Sequence, residues 1–291
     1  MRNQKLTNKL KIKVDGKEIE ETESEKLLGV VINGELTWKN HLYGDDENEG
    51  LIPQLSKRIG ILKKLSLKMS KERLKLFVSG IFYSKLSYCL PVFGNDLGLE
   101  SYKEVNSRYS SYTFSGNSRL QVLQNKVNRL LTDSQYRTPT SELLEKTDSL
   151  SIQQMIAFQT TMMMQKILQS KKPTYLANKI TEGGGERHLR GGSRSLNTPN
   201  LSLSISREGF VNRGTTLMNM LDATVRCQPT IALFKTSLRE WVKSNISIKP
   251  VSRFSGLPRG VLPAPPTQTP PRRAAPPSQN LITQYFQLRM N

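Results

Sequence analysis

Leu51-Ile52-Pro53-Gln54-Leu55-Ser56-Lys57-Arg58-Ile59-Gly60-Ile61-Leu62-Lys63-Lys64-Leu65 decides the fold class. Ile52, Leu55, Ile59, Leu62 and Leu65 recur at helical spacing, with cations between them. Downstream, Ser70 stands where a helix N-cap belongs, and Leu74, Phe77, Val78, Ile81 and Phe82 make the next apolar face, which Pro91 and Gly94 end. A third helix follows on Leu120, Leu123, Val127 and Leu130. A fourth runs from Ser151 to Ser170 with Met155, Phe158, Met162 and Ile167 inward, and a last one spans 229–246 through Ile231, Phe234, Leu238, Trp241 and Val242. Residues 97–117 and 182–206 read as loops. Upstream of Leu51 the period is two. Leu10, Ile12 and Val14 alternate with lysines before the turn signal Asp15-Gly16, and Leu27–Ile32 reads as one buried strand closed by Asn33-Gly34. The prediction is a mainly α protein with a small N-terminal β-hairpin.

Charge narrows the function classes. Forty-three Lys and Arg against twenty-four Asp and Glu give +19 over 291 residues. It is unevenly spread. Residues 51–90 hold Lys57, Arg58, Lys63, Lys64, Lys68, Lys71, Arg73, Lys75 and Lys85 against Glu72 alone, and residues 247–291 hold six basic residues and no acid. Such an arrangement points to a polyanion, nucleic acid first. A solvated helix face is the alternative. Trp38 is a candidate base- or sugar-stacking residue, or a core residue. Two cysteines, Cys89 and Cys227, rule out a disulfide framework and a cysteine zinc site, with Cys89 expected inside an apolar helix. His41 and His188 lack the further ligands that zinc needs, so no metal and no cofactor is expected. Gly183-Gly184-Gly185 lacks the Gly-Lys-Ser/Thr ending of a phosphate loop, and Arg190-Gly191-Gly192 is a single RGG unit. No apolar run reaches the ~20 residues of a membrane helix, and the polar N-terminus is no signal peptide.

The segment Leu27-Leu28-Gly29-Val30-Val31-Ile32-Asn33-Gly34-Glu35-Leu36-Thr37-Trp38-Lys39-Asn40-His41 resembles the passage from palm to thumb in non-LTR (LINE-type) retrotransposon reverse transcriptases, with Leu27 for the usual Tyr and Asn33 for the usual Asp. Residues 51–94 resemble the thumb helices of that family, and Leu120-Gln121-Val122-Leu123-Gln124-Asn125-Lys126 resembles its hydrophobic-QNK helix. Phe210-Val211-Asn212-Arg213-Gly214 and Phe234-Lys235 resemble its more variable end, where Met218-Asn219-Met220-Leu221-Asp222 departs from the usual Trp-Asn-x-Leu-Pro box. The resemblance implies a palm-end β remnant at 1–34, a thumb-like helical domain at 35–132, a helical C-terminal region at 133–246 and a disordered, Pro-rich tail at 247–291. It implies an intracellular, nuclear protein that contacts RNA, DNA or an RNA–DNA hybrid through Trp38, Lys57, Arg58, Lys63, Lys64, Lys68, Lys71, Arg73 and Lys75. In the family the catalytic aspartates lie upstream of the segment at which this sequence begins, so no polymerase chemistry is expected. Tyr43-Gly44-Asp45-Asp46 matches a polymerase motif by letter, but its flanks are not apolar strands, and an acidic surface loop is the simpler reading.

The tail carries a second resemblance. Gln279-Asn280-Leu281-Ile282-Thr283-Gln284-Tyr285-Phe286 resembles the PIP box that binds the sliding clamp PCNA. Ile282, Tyr285 and Phe286 fall at i, i+3 and i+4, so one 3₁₀ turn would present them together, with Gln279 in a separate polar pocket. A clamp-binding adaptor is therefore an alternative to the nucleic-acid reading. A decayed transposon fragment without selected function is another.

Overall fold

Asp15 and Gly16 take positive φ, 49° and 77°, the type I′ geometry whose twist matches flanking strands. In the computed structural model they join strands β1 (Ile12–Val14) and β2 (Lys17–Ile19). The structure describes residues 12–19, 22–34, 36–94, 115–181, 195–198 and 209–246. All lie within one unit, Met1–Val251; a second, Ser252–Asn291, falls outside the described residues, as do Leu10, most of both expected loops, His188 and the glycine runs around it.

The run Leu27–Ile32 is not one buried strand. Leu28 (φ 48°) and Gly29 (φ 83°) turn in its middle, making a second antiparallel hairpin of β3 (Ser24–Leu27) and β4 (Val30–Asn33). Glycine adopts that conformation without steric cost, so Gly29 sets the break. Val30 and Val31 are buried, whereas Leu27 and Leu28 are 60% and 82% exposed. The Tyr88 hydroxyl donates to the Leu28 carbonyl at 2.7 Å and holds the turn.

His41, on the short helix α1 (Lys39–Tyr43), fixes the second hairpin to the helices. It is 7% exposed, accepts at Nδ1 from the Val31 N–H (3.4 Å) and lies 4.7 Å from the Phe93 ring. Burial, then the nearby Lys85 charge, lowers its pKa to about 4, so it is neutral at pH 7.

The apolar stripe of residues 51–66 forms α2 (Leu51–Ser66). Leu51, Leu55 and Leu62 are buried, and Ile52, Ile59 and Leu65 pack at their margin. The next helix departs from expectation. Ser70 sits at the N-cap position of α3 (Lys71–Phe77) but makes no side-chain cap bond, and Phe77 is 44% exposed. A π-helical segment, Val78–Tyr83, follows and leads into α4 (Ser84–Ser87). The Arg58 guanidinium donates to the Ile81 carbonyl (2.6 Å) inside that widened turn. The helix stops at Ser87, not at Pro91. Cys89 (φ 55°) starts α5 (Leu90–Phe93), where Pro91 occupies the first turn and needs no N–H. Cys89 is thus a half-exposed junction residue, not one inside an apolar helix.

Helix α6 (Ser115–Thr132) begins within the expected 97–117 loop. Besides Leu120, Leu123 and Val127 it buries Gln121, Gln124, Asn125 and Asn128, at i, i+3, i+4 and i+7. Gln121 donates to Gln124 (2.9 Å) and Asn125 (3.0 Å) and accepts from the Ile152 N–H (3.0 Å). Gln124 donates to the Leu150 carbonyl (2.7 Å) and the Tyr83 hydroxyl (3.2 Å), which donates on to Asn128 (3.2 Å). Asn125 donates to Thr140 (2.8 Å), at the start of α7 (Thr140–Thr147). These bonds offset desolvation of the groups they join, leaving the Asn128 Nδ2 as the unpaired end of the seam, and together they fix the register of three elements.

Helix α8 (Ile152–Ser170) opens on a capping box. Ser151 Oγ accepts from the Gln154 N–H and Gln154 Oε1 from the Ser151 N–H. Its buried residues include Ile156, Ala157, Thr160, Thr161, Met164 and Ile167, while Met155, Phe158 and Met162 are only partly covered. The expected single inward stripe is absent because α8 serves two apolar clusters. Ile152 and Ile156 join the α1–α6 core; Ala157, Met164 and Ile167 join a second core with α10 (Phe210–Met220), α11 (Ala223–Arg226) and α12 (Ile231–Asn245). A Cβ on Gly214 of α10 would lie 2.3 Å from Met164 Cε, so glycine permits this close crossing. Between α8 and α10 lie α9 (Thr174–Ala177) and Leu196, which exchanges two hydrogen bonds of 2.8 Å with Asn219. The described chain is mainly helical with small hairpins at its N-terminal side.

Candidate nucleic-acid interface

Leu51, Leu55 and Leu62 turn one side of α2 inward, and 3.6 residues per turn then sets Lys57 and Lys64 on the opposite side, with Lys68 exposed in the turn that follows the helix. Lys57 and Lys64 lie roughly 10 Å apart along the helix at 1.5 Å per residue. Lys63 flanks this strip, and Arg73 and Lys75 are exposed on α3. Lys57 pairs with Glu49 (2.8 Å), a surface contact that a phosphate can displace. Lys63, Lys64, Lys68, Arg73 and Lys75 form no ion pair among the described residues.

Three predicted residues sit elsewhere. Arg58 is half-buried on the Ile81 carbonyl. Lys71 reaches across to the end of α6, donating to the Leu130 carbonyl (2.8 Å) and Asp133 (2.6 Å), where a cation meets the negative end of the helix. Both therefore have intramolecular partners, and Lys71 leaves the strip on which Lys57, Lys64 and Lys68 lie. Trp38 (φ 54°) precedes α1 half-buried and packs on the first core.

The sequence reading missed the apolar groups on these same helices. Ile61 is 52% exposed, Leu67 85%, Leu76 73% and Phe77 44%. The signal was present in Leu67 and Leu76, which fall off both apolar stripes.

Asp45 lies in the loop between α1 and α2 and serves that loop. Its Oδ1 accepts from the N–H groups of Asn48 (2.7 Å) and Glu47 (3.2 Å), and its Oδ2 from the Ser24 hydroxyl (3.0 Å). The Asn48 N–H first, then the Ser24 hydroxyl, the Asn48 side chain and the Glu47 N–H, lowers its pKa below the usual carboxylate value against the opposing effect of desolvation. Gly44 and Gly50 pass so closely here that a Cβ on Gly50 would lie 2.3 Å from Gly44 N. Asp46 is exposed beside it. Among the described residues no group of His, Cys, Asp and Glu could hold a metal ion, and no helix is long and apolar enough to cross a membrane. An open cleft of about 490 Å³ lies beside α11 and α12, lined by Asp222, Val225, Gln228, Glu240 and Trp241 among others. Gln279, Ile282, Tyr285 and Phe286 lie outside the described residues.

No family model matches the chain, and neither a curated protein nor a solved structure matches it.

Proposed function

We propose that this chain is a non-catalytic, reverse-transcriptase-like module that grips nucleic acid, an RNA–DNA hybrid or element RNA, through its phosphates. The observation that carries the reading is the α2–α3 surface. Lys57 and Lys64 lie on one exposed face of α2 and Lys68 in the turn after it, with Lys63, Arg73 and Lys75 beside them. Cations so placed release condensed counterions from a backbone without reading sequence. Exposed Leu67 and Leu76 would then pack on sugar and base faces once the cations have placed the strand. The internal bonding of Asp45 supports the view that Tyr43–Asp46 is a folded turn and not a polymerase centre. The test is fluorescence anisotropy of the full chain on a labelled RNA–DNA hybrid across a salt series. Binding that weakens steeply with salt supports the reading, and no binding at low salt overturns it.

A second reading rests on Gln279, Ile282, Tyr285 and Phe286, which fill the four defining positions of a PIP box. It makes the tail a docking segment for PCNA. Tyr285→Ala with Phe286→Ala should abolish clamp binding in calorimetry and leave hybrid binding unchanged. Clamp binding that survives both changes would remove this reading.

A further inference from the structure

The segment from Ser149 to Thr181 contains Lys166, Lys171, Lys172 and Lys179 and not one carboxylate. It covers α8, the turn after it, and α9. All four lysines are exposed, and none forms an ion pair among the described residues. Tyr175 stands among them, 67% exposed. This tyrosine is not on a loose loop. The next two residues, Leu176 and Ala177, pack on the second core, and Ile180 is buried beyond them. The α9 backbone is closed by bonds from Leu176 N–H and Ala177 N–H to the Pro173 carbonyl, both 3.1 Å. The ring is therefore presented outward from an anchored turn.

Cations at the end of α8 have an internal use, because they complement the helix dipole. That use does not account for the whole group. Lys179 follows α9 and does not belong to the last turn of α8. Lys171 occupies the left-handed C-cap of α8 (φ 54°, ψ 24°), where glycine would carry no steric penalty. A lysine there places an ammonium group at the turn that precedes Tyr175.

We infer that the α8–α9 turn is a second contact surface, for single-stranded nucleic acid, with Tyr175 stacking on an unpaired base and Lys166, Lys171, Lys172 and Lys179 on its phosphates. Stacking requires a base whose face is free, which a duplex does not offer and a single strand does. The aromatic on the α2–α3 surface, Phe77, is less exposed than Tyr175, 44% against 67%, and the two surfaces divide the work. Duplex or hybrid backbone goes to the first, and the single strand beside it to the second. The inference rests on the nucleic-acid reading above, but its own contacts are separate.

The test uses the full chain and two labelled probes, a blunt RNA–DNA hybrid and an oligo-dT single strand. Tyr175→Ala should weaken oligo-dT binding about tenfold, Tyr175→Phe should preserve it, and blunt-hybrid affinity should not change. Lys171→Gln with Lys172→Gln should flatten the single-strand salt slope by about 1.4. Far-UV circular dichroism of each variant checks that the helices persist. Oligo-dT binding indifferent to Tyr175, or lost equally on neutralising any lysines of the chain, overturns the inference. Hybrid binding that depends on Lys64 and Lys68 beside such indifference would leave the α2–α3 reading standing alone. Single-strand binding that depends on Tyr175 with no hybrid binding would do the reverse.

Discussion

Neutralising Lys64 and Lys68 together tests the α2–α3 surface most directly. Both are exposed and neither forms an ion pair among the described residues; Lys64 is in the last turn of α2 and Lys68 in the turn just after it. Six basic residues are exposed on the two helices and the turn between them, Lys57, Lys63, Lys64, Lys68, Arg73 and Lys75. Their spread over more than one face lets about four engage one backbone at once, for a log–log salt slope of about −3.6. Raising salt from about 50 to about 200 mM would then weaken hybrid binding roughly 150-fold. Lys64→Ala with Lys68→Ala leaves about two contacts, a slope of about −1.8 and a loss of only about 12-fold over the same interval. Anisotropy titrations of the full chain at five or six salt concentrations resolve the two slopes. Far-UV circular dichroism guards against unfolding, which is not expected because neither side chain touches the core. An unchanged slope in the double variant would refute the placement of the phosphates, whatever the affinity at any one salt concentration.

Acid should weaken the fold through His41. Its pKa is about 4 in the fold against 6.5 ordinarily, so below pH 6.5 the unfolded chain binds the extra proton. The stabilisation is complete above pH 6.5 and is lost as pH falls through 6.5 toward 4. By pH 5 the loss is about 2 kcal/mol, readable as a lower urea midpoint; a His41→Phe variant with the same pH dependence would exclude His41 as the cause. Gln124→Leu strips the Leu150 carbonyl and the Tyr83 hydroxyl of their buried donor. Unfolding free energy should fall by about 2 kcal/mol, and a thermal melt indistinguishable from that of the parent would show that the amide seam does not hold these elements. Asp45→Asn with Asp46→Asn should leave hybrid affinity unchanged and abolish no metal-dependent primer extension, because none is expected; extension by the parent chain that the double variant lacks would return Tyr43–Asp46 to catalysis.

Several elements were legible because their chemistry is local. Asp15-Gly16 makes a type I′ turn by its own backbone preferences. The stripes of α2, α6 and α12 each face one core, so a single periodicity describes each. Ser151 and Gln154 form a capping box within four residues of sequence. Elsewhere the reading failed for reasons that no local window contains. The run Leu27–Ile32 has the composition of a buried strand, yet only Val30 and Val31 of its residues are buried. Cys89 looked helical because its neighbours are apolar, but its backbone is left-handed at a junction.

The candidate site divides in the same way. Charge and helical spacing, which depend only on residue order, determined that residues 51–90 carry a cationic strip on an amphipathic helix pair. They also determined the absence of acid around Lys166 to Lys179 and the spacing of the tail motif. Tertiary structure alone decided which cations stay available. Lys71 turns to the end of α6 and Arg58 to a carbonyl of the π segment, because long side chains settle on whatever acceptor packing brings within reach. Packing also decided that Gln121, Gln124, Asn125 and Asn128 point inward. Buried amides are tolerated only where several elements converge to pair them, and that convergence is a property of the folded chain, not of its order.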